Sequence, residues 1–290
     1  MFKTLLVPVL GESCDQSVLD TAWRFACGFD SHLDCLHVRP NALEMAIRLS
    51  AMDAVIAAPV TAELWKTLED EALNHAKSAR TCFERLVADR GITQTAEPPR
   101  EDGVTGTYRE AEGNFLRTVV PCARTHDLVV LERCVPILDA SAMGDLLVSS
   151  GRPLLLVPKE APQVLFGTAA IAWKETAEAA RALALAMPIL MKVGRIVVLA
   201  AVEAGEDMDD VRASAGRAAE YLRWHGLGSE THCVSTAGSA ARSVMDAAKA
   251  AGADMLVMGG YGHSRLREFA FGGFTSSVLE AAHLPIFMAH

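Results

Sequence analysis

MGGYGHSRLREFAFGGFTSSVLEAAHLPIFMAH, residues 258–290, sets two glycine clusters, Gly259/Gly260/Gly262 and Gly272/Gly273, on either side of a basic, aromatic stretch. Just before it runs ADMLVM (253–258), a short aliphatic strand, so the first cluster lies at a strand's carboxyl end, where open α/β sheets bind ligands. The second cluster opens a helical segment, GGFTSSVLEAA. The first N–H groups of a helix lack internal partners and carry the positive end of its dipole, which suits a phosphate. Glycine at 272 and 273 lets such a ligand reach the backbone without Cβ obstruction. Thr275, Ser276 and Ser277 add hydroxyls, while His263, Arg265 and Arg267 add positive charge that Glu268 partly offsets. A steric reading stands beside this one, because glycines at strand ends also serve close packing and first-turn hydroxyls also serve as caps.

Outward from this stretch, the order of elements occurs twice. KTLLVPVLG (3–11) and TAAIAW (168–173) each read as a strand entering a turn, followed by the helical patterns SVLDTAWRFACGF and AEAARALALAMPIL. Second strands follow in LDCLHV (33–38) and RIVVLAAV (195–202). The halves also close alike: Asp127-Leu-Val-Val-Leu leads through a loop and short helix to RPLLLVP (152–158), and Asp254-Met-Leu-Val-Met leads likewise to LPIFMAH (284–290). Counting back from Pro153 and Pro285 sets Ala140 and Ser141 opposite Gly272 and Gly273. Aliphatic strands alternating with helices imply parallel sheets covered on both faces, joined by right-handed crossovers. Each half reads as one β-α-β-α-β-α-β-α-β domain, over 1–158 and 164–290, with PKEAPQ (158–163) as the linker. HCVST (232–236) reads as a buried third strand. The first half carries a helical insertion at about 40–65, running to a break at Pro59, before a long helix over Val60–Gly91. Such an insertion packs on its own domain or a partner subunit, or forms a lid.

The 290-residue chain is long enough for two cores, and 51% hydrophobic residues with only 6% aromatics fits helices packed on sheets. With 27 Lys and Arg against 36 Asp and Glu, the net charge of −9 speaks against nucleic acid as a partner. The first residues read as a strand rather than a secretory leader, and the longest apolar run, ALALAMPILM (182–191), is too short to span a membrane. Seven cysteines without a C-x-x-C pair read as reduced thiols of a cytoplasmic protein, and the nine histidines show no metal-ligand spacing.

Gly259, two residues, Gly262, nine residues and Gly272 resembles the G-x-x-G-(nine)-G-[S/T] signature of the universal stress protein (UspA-like) family. The resemblance extends to ADMLVM and LPIFMAH and, through the repeat, to both halves. It implies two tandem flavodoxin-like (Rossmann-like, HUP-type) α/β domains, each with a five-stranded parallel sheet and helices on both faces. It further implies ATP, with Mg2+, over the carboxyl ends of strands one, two and four of the second half. Carried over residue by residue, Gly259, Gly262, His263, Gly272, Gly273, Phe274, Thr275 and Ser276 would surround ribose and phosphates. Ala172, Trp173 and Val202 would line the base pocket, and Lys174 would be a further nucleotide-binding residue beside them.

Two departures weaken that expectation. Gly273 replaces the family's hydroxyl, and Lys174 stands where nucleotide binders usually place an aspartate. Lys174 would instead reach a phosphate or snorkel to water. Lost hydrogen bonds of about 0.5–1.5 kcal/mol each would weaken binding by roughly one to two decades. In the first half Glu132 replaces the first glycine, followed by Arg133 and Cys134, and Leu10 takes the aspartate position, so that half is expected not to bind ATP. No nucleophile elbow, P-loop lysine or paired-acid metal site appears, and the resemblance implies slow ATP hydrolysis at most. Two functions follow: a stress-response regulator binding an adenine nucleotide in its second half, or a nucleotide-free interaction scaffold. RPLLLVPK and LPIFMAH would form sheet edges that pair within the chain, leaving other surfaces for a homodimer.

Overall fold

The computed structural model describes residues 1–13, 15–41, 44, 62–98, 102–133, 140–236, 238–261 and 273–290. The chain forms two compact units, Phe2–Leu131 and Glu132–His290, the latter taking in Met1. Most of the helical insertion expected at about 40–65 lies outside the described residues, whereas the long helix that follows is present over Ala62–Arg90.

The first unit runs β1 (Thr4–Pro8), α1 (Asp15–Phe29), β2 (His32–Arg39), α2 (Ala62–Arg90), β3 (Thr93–Gln94), β4 (Thr105–Glu112), α3 (Phe115–Ala123) and β5 (Leu128–Glu132). Its strands lie in the order β3-β4-β2-β1-β5, all parallel. The second unit contains α4 (Ala140–Ser150), β6 (Leu154–Val157), β7 (Thr168–Ala172), α5 (Ala177–Leu190), β8 (Arg195–Val202), α6 (Met208–Trp224), β9 (Glu230–Ser235), α7 (Ala240–Ala250), β10 (Met255–Gly259), α8 (Gly273–Ala281) and β11 (Ile286–Ala289). Here β11-β10-β7-β8-β9 are parallel. β6, the closing strand of the first sequence half, joins this sheet antiparallel to β11, with Leu156 opposite Ile286 and Leu154 opposite Met288. The mutual pairing expected of the two apolar closing segments is therefore present.

The strands are aliphatic because both faces are covered. β6 and β11 are buried along their whole length, and β7 and β10 at four of five positions. α5 packs on β10 and β11, and α6 and α7 on β8 and β9. One expectation needs correction: the strand around HCVST is not buried. β9 is an edge strand with Glu230, Thr231, His232 and Ser235 exposed and Cys233 half-buried, since among the described residues only β8 pairs with it.

A carboxylate occupies equivalent places in the two units. Asp127 Oδ2 accepts from the backbone N–H groups of Lys3 (2.7 Å) and Thr4 (3.0 Å), and the Asp127 N–H donates back to the Thr4 carbonyl (2.9 Å). Asp254 Oδ2 accepts from Gly167 (3.0 Å) and Thr168 (2.9 Å), and its N–H donates to the Thr168 carbonyl (3.0 Å). Each aspartate thus fixes where its unit's first strand begins relative to the strand it precedes.

The first unit also holds a polar cluster at the amino end of β2. Arg109 Nε and Nη2 each donate to Asp34 at 2.8 Å, and His126 Nε2 lies 3.0 Å from Asp34 Oδ2. Burial pushes the Asp34 pKa up, but the hydrogen bonds and charges of His126 and Arg109 prevail and hold it at about 2. A carboxyl depressed below its ordinary 3.8 contributes stability above that value and loses it as pH falls toward about 2. Asp34→Asn should therefore cost on the order of 1–2 kcal/mol at pH 7, allowing for partial exposure. The gap to wild type, measured by chemical denaturation, should close between about pH 4 and pH 2.

Candidate functional site

The second unit's sheet reverses its winding direction between β7 and β10, which makes their carboxyl ends the crevice where doubly wound sheets take ligands. Ala172 ends β7 and is buried, Trp173 and Lys174 follow it, Val202 ends β8, and Gly259 ends β10. α8 opens at Gly273. The elements thus place Ala172, Trp173, Lys174, Val202 and Gly259 at the carboxyl ends of three adjacent strands. Gly262, His263 and Gly272 lie outside the described residues, as do Arg265, Arg267 and Glu268.

The glycines divide by what surrounds them. A Cβ on Gly259 would stand 2.5 Å from the Ala179 backbone nitrogen and 2.6 Å from the Glu178 carbonyl carbon. The first turn of α5 lies directly against the end of β10, so Gly259 is required by the chain's own packing. Gly260 is similar: a Cβ there would meet Met288 Sδ at 2.5 Å and Leu147 Cδ2 at 3.2 Å. The steric reading therefore accounts for both. Gly273 differs. It is exposed, a Cβ there meets nothing within 4 Å, and its φ does not lie in the left-handed region. Neither packing nor backbone geometry calls for glycine at that helix start.

Around it, Phe274 is half-buried, Thr275 is buried, and the Ser276 hydroxyl is sealed from solvent without a hydrogen-bond partner. A buried hydroxyl without a partner leaves part of its hydrogen-bonding capacity unmet. These residues fit a phosphate-bearing ligand: an unobstructed helix start carries unpaired N–H groups, and a hydroxyl beside it lacks a partner. Among the described residues no three His, Cys, Asp or Glu side chains are grouped to hold a metal, so a divalent cation there would depend on the ligand's own phosphates.

The base side is more occupied. The Trp173 N–H donates to the Leu199 carbonyl (2.8 Å) and its indole Nε1–H to Ser214 Oγ (3.0 Å), which fixes the ring toward α6. The Val202 carbonyl accepts from both the N–H (3.3 Å) and the hydroxyl (3.0 Å) of Thr236. The exposed Lys174 side chain is paired with two glutamates. Its Nζ lies 2.7 Å from Glu203 Oε1 and 3.5 Å from Glu206 Oε1, and the bond to Glu203 foremost raises its pKa. Glu206 is itself placed by accepting from the Glu203 backbone N–H at 2.9 Å, which lowers its pKa. Glu175 pairs with Arg217, and Asp207 caps α6. The acidic run expected to be a solvated loop and helix start is one, but it also holds Lys174. Sequence reasoning missed that role, although a signal was present: Lys174 lies two residues past β7 and Glu203 one past β8, on neighbouring parallel strands.

In the first unit the corresponding turn is closed on itself. The N–H groups of Leu10 and Gly11 donate to the buried Asp15 carboxylate at 2.8 and 2.7 Å. A Cβ on Gly11 would overlap the His75 backbone at 2.1 Å. The amides of this turn are thus already paired within it.

Residues 167–290 match the family model described as the Universal stress protein family. No curated protein matches the chain. A universal stress protein from Archaeoglobus fulgidus is similar in structure at 16% identity, covering 99% of this chain and 97% of its own, with a TM-score of 0.69. A functionally unknown protein from Pseudomonas aeruginosa is similar at 14% identity, covering 99% and 92%, with a TM-score of 0.59. A universal stress protein solved in complex with cAMP covers 44% of this chain and 98% of its own at 16% identity, with a TM-score of 0.37. The two full-length likenesses show a shared α/β fold.

The two kinds of glycine should separate on substitution. Gly259→Ala forces a methyl group into the α5 backbone and should cost about 3 kcal/mol. Gly273→Ala should change stability by no more than about 0.5 kcal/mol. Thermal unfolding of both variants checks this.

Proposed function

We propose, from the premise that residues 167–290 belong to the universal stress protein family, that the second half of this chain binds an adenine nucleotide at the carboxyl ends of β7, β8 and β10. Occupancy of that site would then regulate interactions with partners under stress. The observation that carries the reading is the start of α8, where Gly273 faces open space beside the unpaired Ser276 hydroxyl. Phosphates would lie there on the helix's first N–H groups, with Thr275 in the same turn and Mg2+ held through the phosphates. Ribose would lie toward Gly259, Gly262, His263 and Gly272, and the base would rest on Ala172, Trp173 and Val202.

In this reading the sequence repeat marks two domains, 1–158 and 164–290, the first serving as scaffold. The protein works in the cytoplasm, as a monomer or a homodimer, on a small-molecule ligand rather than on nucleic acid or membrane. Among the described residues no helix is long and apolar enough to cross a membrane.

A second reading has its own support. Gly259 and Gly260 are accounted for by packing, and Lys174 is engaged by Glu203 and Glu206. A scaffold that binds no nucleotide would look the same at these positions.

Calorimetric titration separates the two. MgATP should bind the wild type with micromolar to sub-millimolar affinity. Gly273→Asp, which sets a carboxylate against the phosphates, should weaken binding at least tenfold while the thermal midpoint stays near the wild-type value. A flat titration of the wild type would leave the scaffold reading.

A further inference from the structure

The chain leaves β10 through three residues, each held by a different neighbour. Gly259 lies under the first turn of α5. Gly260 is fixed through its backbone: its N–H donates to the Ala289 carbonyl at 2.9 Å, and its own carbonyl accepts from His290 Nδ1 at 3.1 Å. Tyr261 follows in the left-handed region, at φ 57°. A bulky side chain is uncommon there, and such a backbone persists only where the surroundings hold it.

What lies against Tyr261 is α4. A Cβ on Gly144 would stand 2.8 Å from Tyr261 Cε1, 2.9 Å from Cδ1 and 3.2 Å from Cζ. One edge of the ring therefore rests directly on the bare backbone of the helix. Gly144 is buried in the interior of the eleven-residue α4, where glycine is a poorer helix former than alanine. Its φ does not lie in the left-handed region, so the backbone does not call for glycine either. The ring does. Two residues that local rules disfavour, a tyrosine with positive φ and a glycine inside a helix, thus account for each other. From the next turn of α4, Leu147 closes on Gly260.

α4 is the helix that the repeat sets opposite α8. It comes from the sequence half in which Glu132 replaces the first glycine, yet its surface is shaped to the start of the other half's glycine loop.

We propose that Tyr261 is a positioning residue for the nucleotide site: its ring, seated on Gly144, sets the angle at which the chain leaves β10. α4 of the first half is thereby a working part of the second half's site. This rests on the nucleotide reading above and gives the first half a role in that reading beyond scaffolding. A segment fixed before the ligand arrives need not be ordered at the expense of binding, so the seated ring contributes affinity without touching the nucleotide.

The test is a cycle of Gly144→Ala and Tyr261→Ala in the full chain, read by thermal unfolding without nucleotide and by calorimetric titration of MgATP. Alanine at 261 keeps the Cβ, and with it the backbone strain, while removing the ring. With Tyr261 present, Gly144→Ala drives a methyl group into the ring and should lower the thermal midpoint. In the Tyr261→Ala background the same substitution should raise it, because alanine is the better helix former. Each single substitution should weaken MgATP binding about tenfold, and the pair no more than Tyr261→Ala alone. Tyr261→Phe, which keeps the ring, should bind like the wild type. A midpoint shift of one sign in both backgrounds would mean that ring and helix do not meet, and overturns the proposal. Unchanged affinity in Tyr261→Ala also overturns it, leaving a contact that serves stability alone. So does a loss in Tyr261→Phe as large as in Tyr261→Ala, which would assign the effect to the hydroxyl. A wild type that binds no MgATP removes the nucleotide reading and the positioning role together, whereas binding that is equal in wild type and variants removes the positioning role only. Should Gly144→Ala fail to fold, the Tyr261→Ala and Tyr261→Phe titrations decide.

Discussion

Both units depend on a single acceptor in the same place. Asp127 and Asp254 each gather two successive backbone N–H groups from the start of the first strand, and each returns its own N–H to that strand. A parallel sheet has no hairpin to set its register, so something else must. Here it is a carboxylate one residue before β5 in the first unit and before β10 in the second. The strand ends seventeen Å or so further on inherit that alignment, at about 3.3 Å per residue. The positions of Trp173 and Gly259 across the crevice are consequences of Asp254 at the opposite end of the sheet.

The crevice shows how one sequence motif serves two masters. Gly259 and Gly260 lack side chains because α5, Met288 and Leu147 come too close. Gly273 lacks one although no atom among the described residues would lie within 4 Å of a Cβ there. The signature's first glycine, Gly259, is thus accounted for by the fold itself, whereas no packing among the described residues calls for glycine at 273. The charges follow a similar division. Lys174 is the cation nearest the strand ends among the described residues of the β7 turn, yet it is bound to two glutamates.

Much of this was legible from the residues. Continuous aliphatic runs alternating with helices, and the repeated Asp-aliphatic stretches, mark parallel α/β units, since strands covered on both faces read as unbroken apolar runs. The pairing of RPLLLVPK with LPIFMAH followed from their being apolar edges. Less legible was anything decided by geometry between distant residues. Whether Gly259 faces a ligand or a helix depends on how closely Glu178 approaches, and no spacing rule encodes that. The edge position of β9 escaped because HCVST has the apolar character of an interior strand, while its exposure depends on the absence of a further neighbour.

The antiparallel meeting of β6 and β11 carries a lesson about ancestry and independence. Leu154–Val157 comes from one half of the gene product and Ile286–Ala289 from the other, and each hides the other's bare rim. A fragment holding only residues 164–290 would leave that rim naked, and a naked apolar rim recruits a twin. Two such fragments meeting rim to rim would rebuild what the long chain does internally. Carrying both strands in one chain makes permanent a contact that two separate fragments would reach only at sufficient concentration.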